Sequence, residues 1–169
     1  MKTLNDLCRP RASVFDKSRL DTVYNLDDLT TINPDEFLSE NYVTEGMRIL
    51  LTEAFNRLEG KTSGASGTFL LSQSMGGGKT HLMVALGLLA KHPHLRPAVL
   101  PAELAGRLDF GPTRIAAFNG RNDPEHYIWG EIGEQLGRAD LVRPYWIDGP
   151  RGIDEKKWLE IIGDEPTLI

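Results

Sequence analysis

The chain reads as an α/β domain built on a mostly parallel sheet, and three observations lead there. Short β-favouring runs (Phe69-Leu70-Leu71, Arg114 to Phe118, and Pro166 to Ile169) alternate with longer segments at helical spacing. The first run opens, through a glycine-rich loop, straight into an apolar helix pattern. No repeat and no low-complexity tract interrupts the alternation. Strands that alternate with helices form parallel sheets, whose ligands sit at the carboxyl ends of the strands.

Residues 1–40 read as an irregular arm, with Pro10, Pro34, scattered Asp and Asn, and single apolar anchors at Val14, Phe15, Leu26, Leu29 and Phe37. Thr44 caps a helix over 45–58, whose Met47, Leu50, Leu51, Ala54, Phe55 and Leu58 share one face, and Gly60 stops it. Residues 61–67 are small and polar and form a loop. The division is therefore an arm and helix over 1–66, packed on a core domain over 67–169. In the core, the spacing predicts a helix over 79–91 that is apolar nearly all round, as for a helix covered on both sides. Pro93 and Pro97 end it. A short strand over 98–100, a short helix over 102–108 and a strand over 114–118 follow, the last ending at Asn119-Gly120. A helix over 125–136 places Ile128, Trp129, Ile132 and Leu136 on one side. Pro144, Gly149, Pro150 and Gly152 make 138–152 a loop, Asp154 caps a helix through Ile162, and Pro166 to Ile169 opens a third strand.

The chemistry concentrates in Ser74-Met75-Gly76-Gly77-Gly78-Lys79-Thr80. Strand, glycine loop ending in Gly-Lys-Thr, then helix is the arrangement that wraps a nucleotide's phosphates. Glycines admit positive φ and turn backbone N–H groups inward, and the start of the helix adds partial positive charge. Lys79 reaches the β- and γ-phosphates, and the Thr80 hydroxyl is a ligand for Mg²⁺. The full pattern, G-x-x-x-x-G-K-[ST], has Gln73 in place of its first glycine. The bland alternative is a turn without a ligand, yet each glycine costs roughly 0.5–1 kcal/mol of conformational entropy relative to alanine, and a structural turn needs only one. Ser74, Met75, Gly76, Gly77, Gly78, Lys79, Thr80 and His81 form the candidate site for ATP·Mg²⁺, with Thr80 as the metal ligand. His81 either touches a phosphate or is a first-turn residue with its own hydrogen bond. Gly60-Lys61-Thr62 repeats the letters without the context: it follows a helix, so it reads as a helix terminus.

Other candidates carry less. His92 and His94 flank Pro93 without a Cys or carboxylate cluster, so placement at a helix carboxyl end accounts for them better than zinc. Asn119 and Arg121 lie past a strand end, where they either face the site or make an Asn-Gly turn beside a solvated arginine. Trp129, Trp146 and Trp158 read as core or interface anchors.

Composition sets the outer bounds. The 169 residues carry a net charge of −5, with 40% hydrophobic and 25% charged residues, which suits one globular domain. Basic and acidic residues number 8 and 11 over 1–66 and 11 and 13 over 67–169, so no basic stripe favours autonomous nucleic-acid binding. Cys8 is the one cysteine and can form no internal disulfide. No signal-peptide core opens the chain, and the longest apolar block, Leu82 to Ala90, is nine residues against the ~20 that a membrane span needs. The expectation is a soluble, cytoplasmic protein with no membrane partner.

Hydrolysis by such a loop needs an aspartate at the end of another strand to hold magnesium. Tyr145 to Asp148 is boxed in by prolines and glycine, and Leu108-Asp109 ends a helix pattern. The strand opening at Thr167 is the better place, and a buried strand cut short leaves its neighbour's backbone groups exposed. The reading is therefore a core incomplete at its carboxyl end, which binds nucleotide weakly and hydrolyses it poorly.

The pieces SVFD, ENYVTEGM, LLSQSMGGGKTHLMVALGLLAKHP, AAFNGR and WGEIGEQLG resemble the N-terminal ATPase region of large prokaryotic AAA+-like ATP-binding proteins. That family is a domain of unknown function from phage-defence gene clusters, often beside DNA methyltransferases. The resemblance implies a P-loop NTPase-like sheet with flanking helices, with Lys79 and Thr80 at the family's phosphate-loop Lys and Thr. It also implies ATP rather than GTP, a magnesium-holding Asp-Glu strand starting near Thr167, homo-oligomers, and DNA-modifying defence proteins as partners. Two functions stay open: an ATPase whose turnover drives a conformational change, and a nucleotide-sensing interaction module without turnover. A small-molecule kinase fares worst, for want of an acceptor site or lid.

Overall fold

The structure is a computed structural model, and it describes residues 3–8, 10, 15, 24–61, 63–72, 74, 76–120 and 126–169. The arm contributes α1 (Leu4–Leu7), a 3-10 turn over Leu26–Asp28 and α2 (Pro34–Glu40). Then come α3 (Glu45–Leu58), α4 (Lys79–Lys91), α5 (Arg96–Val99), α6 (Ala102–Ala105), β1 (Arg114–Ile115), α7 (Tyr127–Gln135), α8 (Ala139–Val142), α9 (Glu155–Ile162) and β2 (Thr167–Leu168). Among the described residues the sheet is the parallel pair β1–β2, with Arg114 opposite Thr167 and Ile115 opposite Leu168.

Three apolar clusters arrange these elements in layers around α4 and the strands. On one side of α4, Leu86, Leu89 and Ala90 meet Leu51, Ala54 and Phe55 of α3 and Val99 and Leu104 of α5 and α6. On its other side, Val84, Ala85 and Leu88 meet Leu29 and Phe37 of the arm. Ile115 packs against both of these groups. Its neighbour Ala116 turns the other way, onto Ile132, Leu136, Val142 and Ile161 of α7, α8 and α9. Successive strand residues point to opposite faces, so the pair is covered by α4 on one face and by α7 to α9 on the other.

Two arginines fix the helix ends against the strands. Arg96 is buried, and its guanidinium donates to the carbonyls of Leu89 (3.0 Å) and Ala90 (3.0 Å) at the end of α4. It also donates to Phe110 (2.7 Å) and Gly111 (2.9 Å), just before β1. The same group lies over the rings of Phe110 (4.3 Å) and Phe55 (5.3 Å). Among the described residues no carboxylate pairs with it. The carbonyls at a helix terminus carry partial negative charge and take that role. Thr113 N–H also donates to Ala90, so β1 starts where α4 stops. Arg114 does the same for the far layer, donating to Leu136 at the end of α7 (3.1 Å) and to Ile162 at the end of α9 (2.8 Å). With their carboxyl ends gathered at the start of the strands, these helices present their amino ends at the other edge.

Several expectations hold and several give way. The caps at Thr44 and Asp154 are in place, accepting from Met47 N–H and Lys157 N–H, and both helices end where predicted. Gly60 (φ +93°) closes α3 by donating to Arg57, and Lys61 N–H donates to Asn56, so the second Gly-Lys is a helix cap; Thr62 lies outside the described residues. The strand expected at 98–100 is instead α5, because Pro97 stands in the first turn, where a missing N–H costs nothing. The helix expected over 102–108 is the single turn α6. The loop expected at 138–152 holds α8 and a 3-10 turn over Arg143–Tyr145. The arm is more regular than its prolines suggest, since Asn33 caps α2 and Pro34 is its first residue. Leu29 and Phe37 are buried anchors as expected, Phe15 is exposed, and Val14 lies outside the described residues. Phe69 to Leu71 joins no ladder, and Leu70 is 89% exposed.

Two stability predictions follow from these contacts. Arg96→Met strips two buried and two part-buried carbonyls of their donor and should lower the urea-unfolding free energy by about 3 kcal/mol. A cost below a few tenths would show that those carbonyls find other partners. Gly133→Ala would drive a methyl group into both Cγ methyls of Val142 and should cost roughly 1–3 kcal/mol in the same measurement.

Candidate functional site

The glycine loop sits at the amino end of α4, on the edge of the strand pair toward which β1 and β2 both run. Gly76 (φ +77°) and Gly78 (φ +78°) occupy the left-handed region, where a side chain would be strained. Gly77 N–H donates to the Ser74 carbonyl (3.1 Å), closing the turn. The Lys79 ammonium folds back over the same loop and donates to that carbonyl too (2.9 Å). Lys79 is half-buried, while Gly76, Gly77, Gly78 and Thr80 are exposed. The loop thus holds the Lys79 ammonium on the Ser74 carbonyl, next in sequence to the exposed Gly76, Gly77 and Gly78. Met75 lies outside the described residues, as does Gln73.

The start of α4 differs from those of α2, α3 and α9. Helices α2, α3 and α9 each have a side-chain cap (Asn33, Thr44, Asp154) and an acidic residue in the first turn. Helix α4 has Gly78 as its N-cap, no capping side chain and no acid in its first turn; α5 and α7 share this bareness but lack the loop and lysine. Leu82 N–H donates to Gly78 (2.9 Å), yet no hydrogen bond among the described residues engages the N–H groups of Gly78, Thr80 or His81. Unpaired N–H groups at a helix start, carrying the positive end of its dipole beside an ammonium, form an anion site.

His81 is not part of that site by its side chain. The imidazole stacks on Phe37 (4.6 Å between centroids, 29°) and meets the edge of Tyr24 (5.8 Å, 60°), both from the arm. Burial holds its pKa below the ordinary value of 6.5, so the neutral ring is what the arm covers. Asn119 stands past β1 at the same edge, and its amide donates toward Asn25 Oδ1 and Asp27 Oδ2 (3.5 Å each). It therefore tethers the arm, and Arg121 lies outside the described residues. Tyr145 to Asp148 forms turns rather than a strand, and Asp148 pairs with Arg151. The segment that does form a strand is Thr167-Leu168.

A groove of about 890 Å³ adjoins Lys79 and Thr80. Thr68, Phe69 and Leu71 form one wall and Thr167, Leu168 and Ile169 the other, with Leu82 and Met83 of α4 between them. Periodicity gave no hint of this groove, because its walls come from segments a hundred residues apart. A second grouping also escaped the sequence: His126, Glu131 and Glu134 each bring a possible ligand atom within 4.8 Å of the others. Glu131 there already accepts from Gln135 (2.7 Å), and Glu134 is exposed. His92 and His94 meet edge-on (6.0 Å). Trp158 packs against the cluster of α7 to α9, Trp146 against His126 and Trp129 against Tyr127. Among the described residues no helix is long and apolar enough to cross a membrane.

Residues 16–97 match the family model described as DUF499 N-terminal domain. The match takes in α2, α3, the glycine loop and all of α4. No curated protein and no solved structure matches the chain.

The His81 contacts predict a pH dependence. The unfolded chain takes up a proton near the ordinary histidine value while the folded one resists, so stability falls as pH drops through about 6.5. His92, lowered first by burial and then by Lys91 and His94, pulls the same way. The specific readout is therefore a difference: His81→Phe keeps the stack and should lose less melting temperature than wild type between pH 7.5 and pH 5.5. Equal losses would remove His81 from the account.

Proposed function

We propose that this chain binds ATP·Mg²⁺ through Gly76, Gly77, Gly78, Lys79 and Thr80, as the nucleotide-binding part of an AAA+-like ATPase with a P-loop NTPase-like sheet. One observation carries the reading: the amino end of α4 has neither capping side chain nor acid, it follows a glycine loop whose Ser74 carbonyl holds the Lys79 ammonium, and no hydrogen bond among the described residues engages the N–H groups of Gly78, Thr80 or His81. A triphosphate supplies the negative charge and the acceptor oxygens those groups lack. Lys79 exchanges the Ser74 carbonyl for the β- and γ-phosphates, so that the ammonium meets a charged acceptor instead of a neutral carbonyl. Thr80, exposed on the first turn, turns its hydroxyl to the magnesium ion, which keeps water as its other ligands. The adjoining groove lies within the range of small-molecule sites, roughly 300–1,000 Å³.

The parallel strands running toward the loop support the fold reading, and so does the covering of the strand pair on both faces by helices. ATP rather than GTP, homo-oligomers and a role in anti-phage defence beside DNA-modifying proteins rest on the family resemblance. The match to the DUF499 N-terminal domain over the arm, loop and α4 is compatible with it. Neither β1 nor β2 carries a carboxylate of its own toward the loop edge, so the proposal for these residues is binding. Turnover, which separates an ATPase from a nucleotide-sensing module, is a property to assay in the full polypeptide by phosphate release.

Binding is tested by thermal shift. ATP with magnesium should raise the melting temperature of the wild type, and Lys79→Ala should abolish the rise. Thr80→Ala should keep a smaller rise that no longer depends on magnesium. An undiminished shift in Lys79→Ala would overturn the assignment of the loop.

A further inference from the structure

On the edge of β1 opposite β2 lies a separate cavity of about 500 Å³, bounded by the arm, the end of α4 and α7. We propose that it binds a small ligand carrying a planar amide and a single carboxylate, the chemistry shared by an N-acylated amino acid and a peptide's carboxyl terminus. Three features of the cavity wall point to that chemistry. First, the ladder directs Arg114 and Ala116 N–H to Pro166 and Leu168, so the N–H and C=O of Ile115 face away from β2, and no hydrogen bond among the described residues reaches them. Second, one step along the same edge, Ala117 is already paired by a planar amide. Its N–H donates to Gln135 Oε1 (2.9 Å), and Gln135 Nε2 donates back to its carbonyl (2.8 Å). A ligand amide on Ile115 would extend that two-bond pattern by one unit, as an added strand does.

Third, the lower end of the cavity is built for an anion. Thr113 is 5% exposed, and among the described residues its hydroxyl has no hydrogen-bond partner. Lys91, which lines the same cavity, makes no hydrogen bond or ion pair among the described residues. A buried hydroxyl donor and an unpaired ammonium together take a carboxylate at hydrogen-bonding range. Asp27 and Glu131 line the cavity as well, and their charges oppose a dianion, so the site favours a monocarboxylate over phosphate. The cavity does not share a residue with the glycine loop, and the proposal stands independently of nucleotide binding.

The test is a backbone-amide NMR titration of the protein with N-acetylalanine, its methylamide, inorganic phosphate, and a pentapeptide with either a free or an amidated carboxyl terminus. N-acetylalanine should shift the amides of Thr113, Ile115 and Ala117, and removing its carboxylate should weaken binding about tenfold. Lys91→Met and Thr113→Val should each weaken it by a similar factor, while phosphate leaves those amides unmoved. Lys91 is half-buried at a helix end, so its variant keeps the fold, which the rest of the spectrum reports directly. If the free-terminus pentapeptide binds at least as well as N-acetylalanine, the source is a peptide end; if only N-acetylalanine binds, it is a small molecule. No shift at these amides with any carboxylate, or shifts in Lys91→Met and with the methylamide as large as those of the wild type with N-acetylalanine, would overturn the proposal and leave a hydrated cavity.

Discussion

The buried guanidinium of Arg96 is the interaction on which the rest depends. A cation removed from water is expensive unless it is richly bonded, and Arg96 meets four carbonyls and two aromatic faces. Those carbonyls belong to two places, the last turn of α4 and the residues before β1. Their shared donor forces the chain to reverse there, so that β1 rises alongside α4. Arg114 repeats the arrangement on the opposite face, where it holds the ends of α7 and α9. The carboxyl ends of three helices are thereby neutralised by two cations at one edge.

The opposite edge is left with the amino end of α4, and its chemistry follows from what is missing there. The starts of α2, α3 and α9 are closed by Asn33, Thr44 and Asp154, each accepting N–H groups that a helix leaves free. A side-chain cap at Gly78 would occupy the same donors a phosphate needs. The glycine loop keeps them open and holds the Lys79 ammonium on the Ser74 carbonyl. The arm reaches this edge from outside through His81 and Asn119, and Leu29 lies so close to Gly87 that a methyl group there would meet its Cδ2 at 2.8 Å. Occupancy of the loop and docking of the arm are therefore physically adjacent events.

Much of this was legible in residue order because the relevant signals are local. Thr44 and Asp154 are cap residues whose effect spans one turn, and Gly78-Lys79-Thr80 gains its meaning from the run of helix formers just after it. What escaped was non-local or masked by a competing rule. Pro34 and Pro97 read as breakers, yet each sits in a first turn that tolerates it. Phe69 to Leu71 has β-favouring side chains, but pairing depends on a neighbouring strand, and none of the described residues supplies one. Arg96 and Arg114 carry no signature in sequence, since a structural arginine and a solvated one look alike until the carbonyls around them are known. His81 followed the loop closely enough to be drawn into the candidate site; its ring answers instead to Phe37, forty-four residues earlier.

The nucleotide-binding proposal reduces to phosphate oxygens meeting the bare start of α4. Backbone-amide NMR reads that contact one N–H at a time. Adding ATP with magnesium should move the Gly78, Thr80 and His81 amide protons strongly downfield, and AMP, lacking the β- and γ-phosphates, should move them far less. Amides at these three positions that stay in place at saturating ATP, or that respond equally to AMP, would contradict the account.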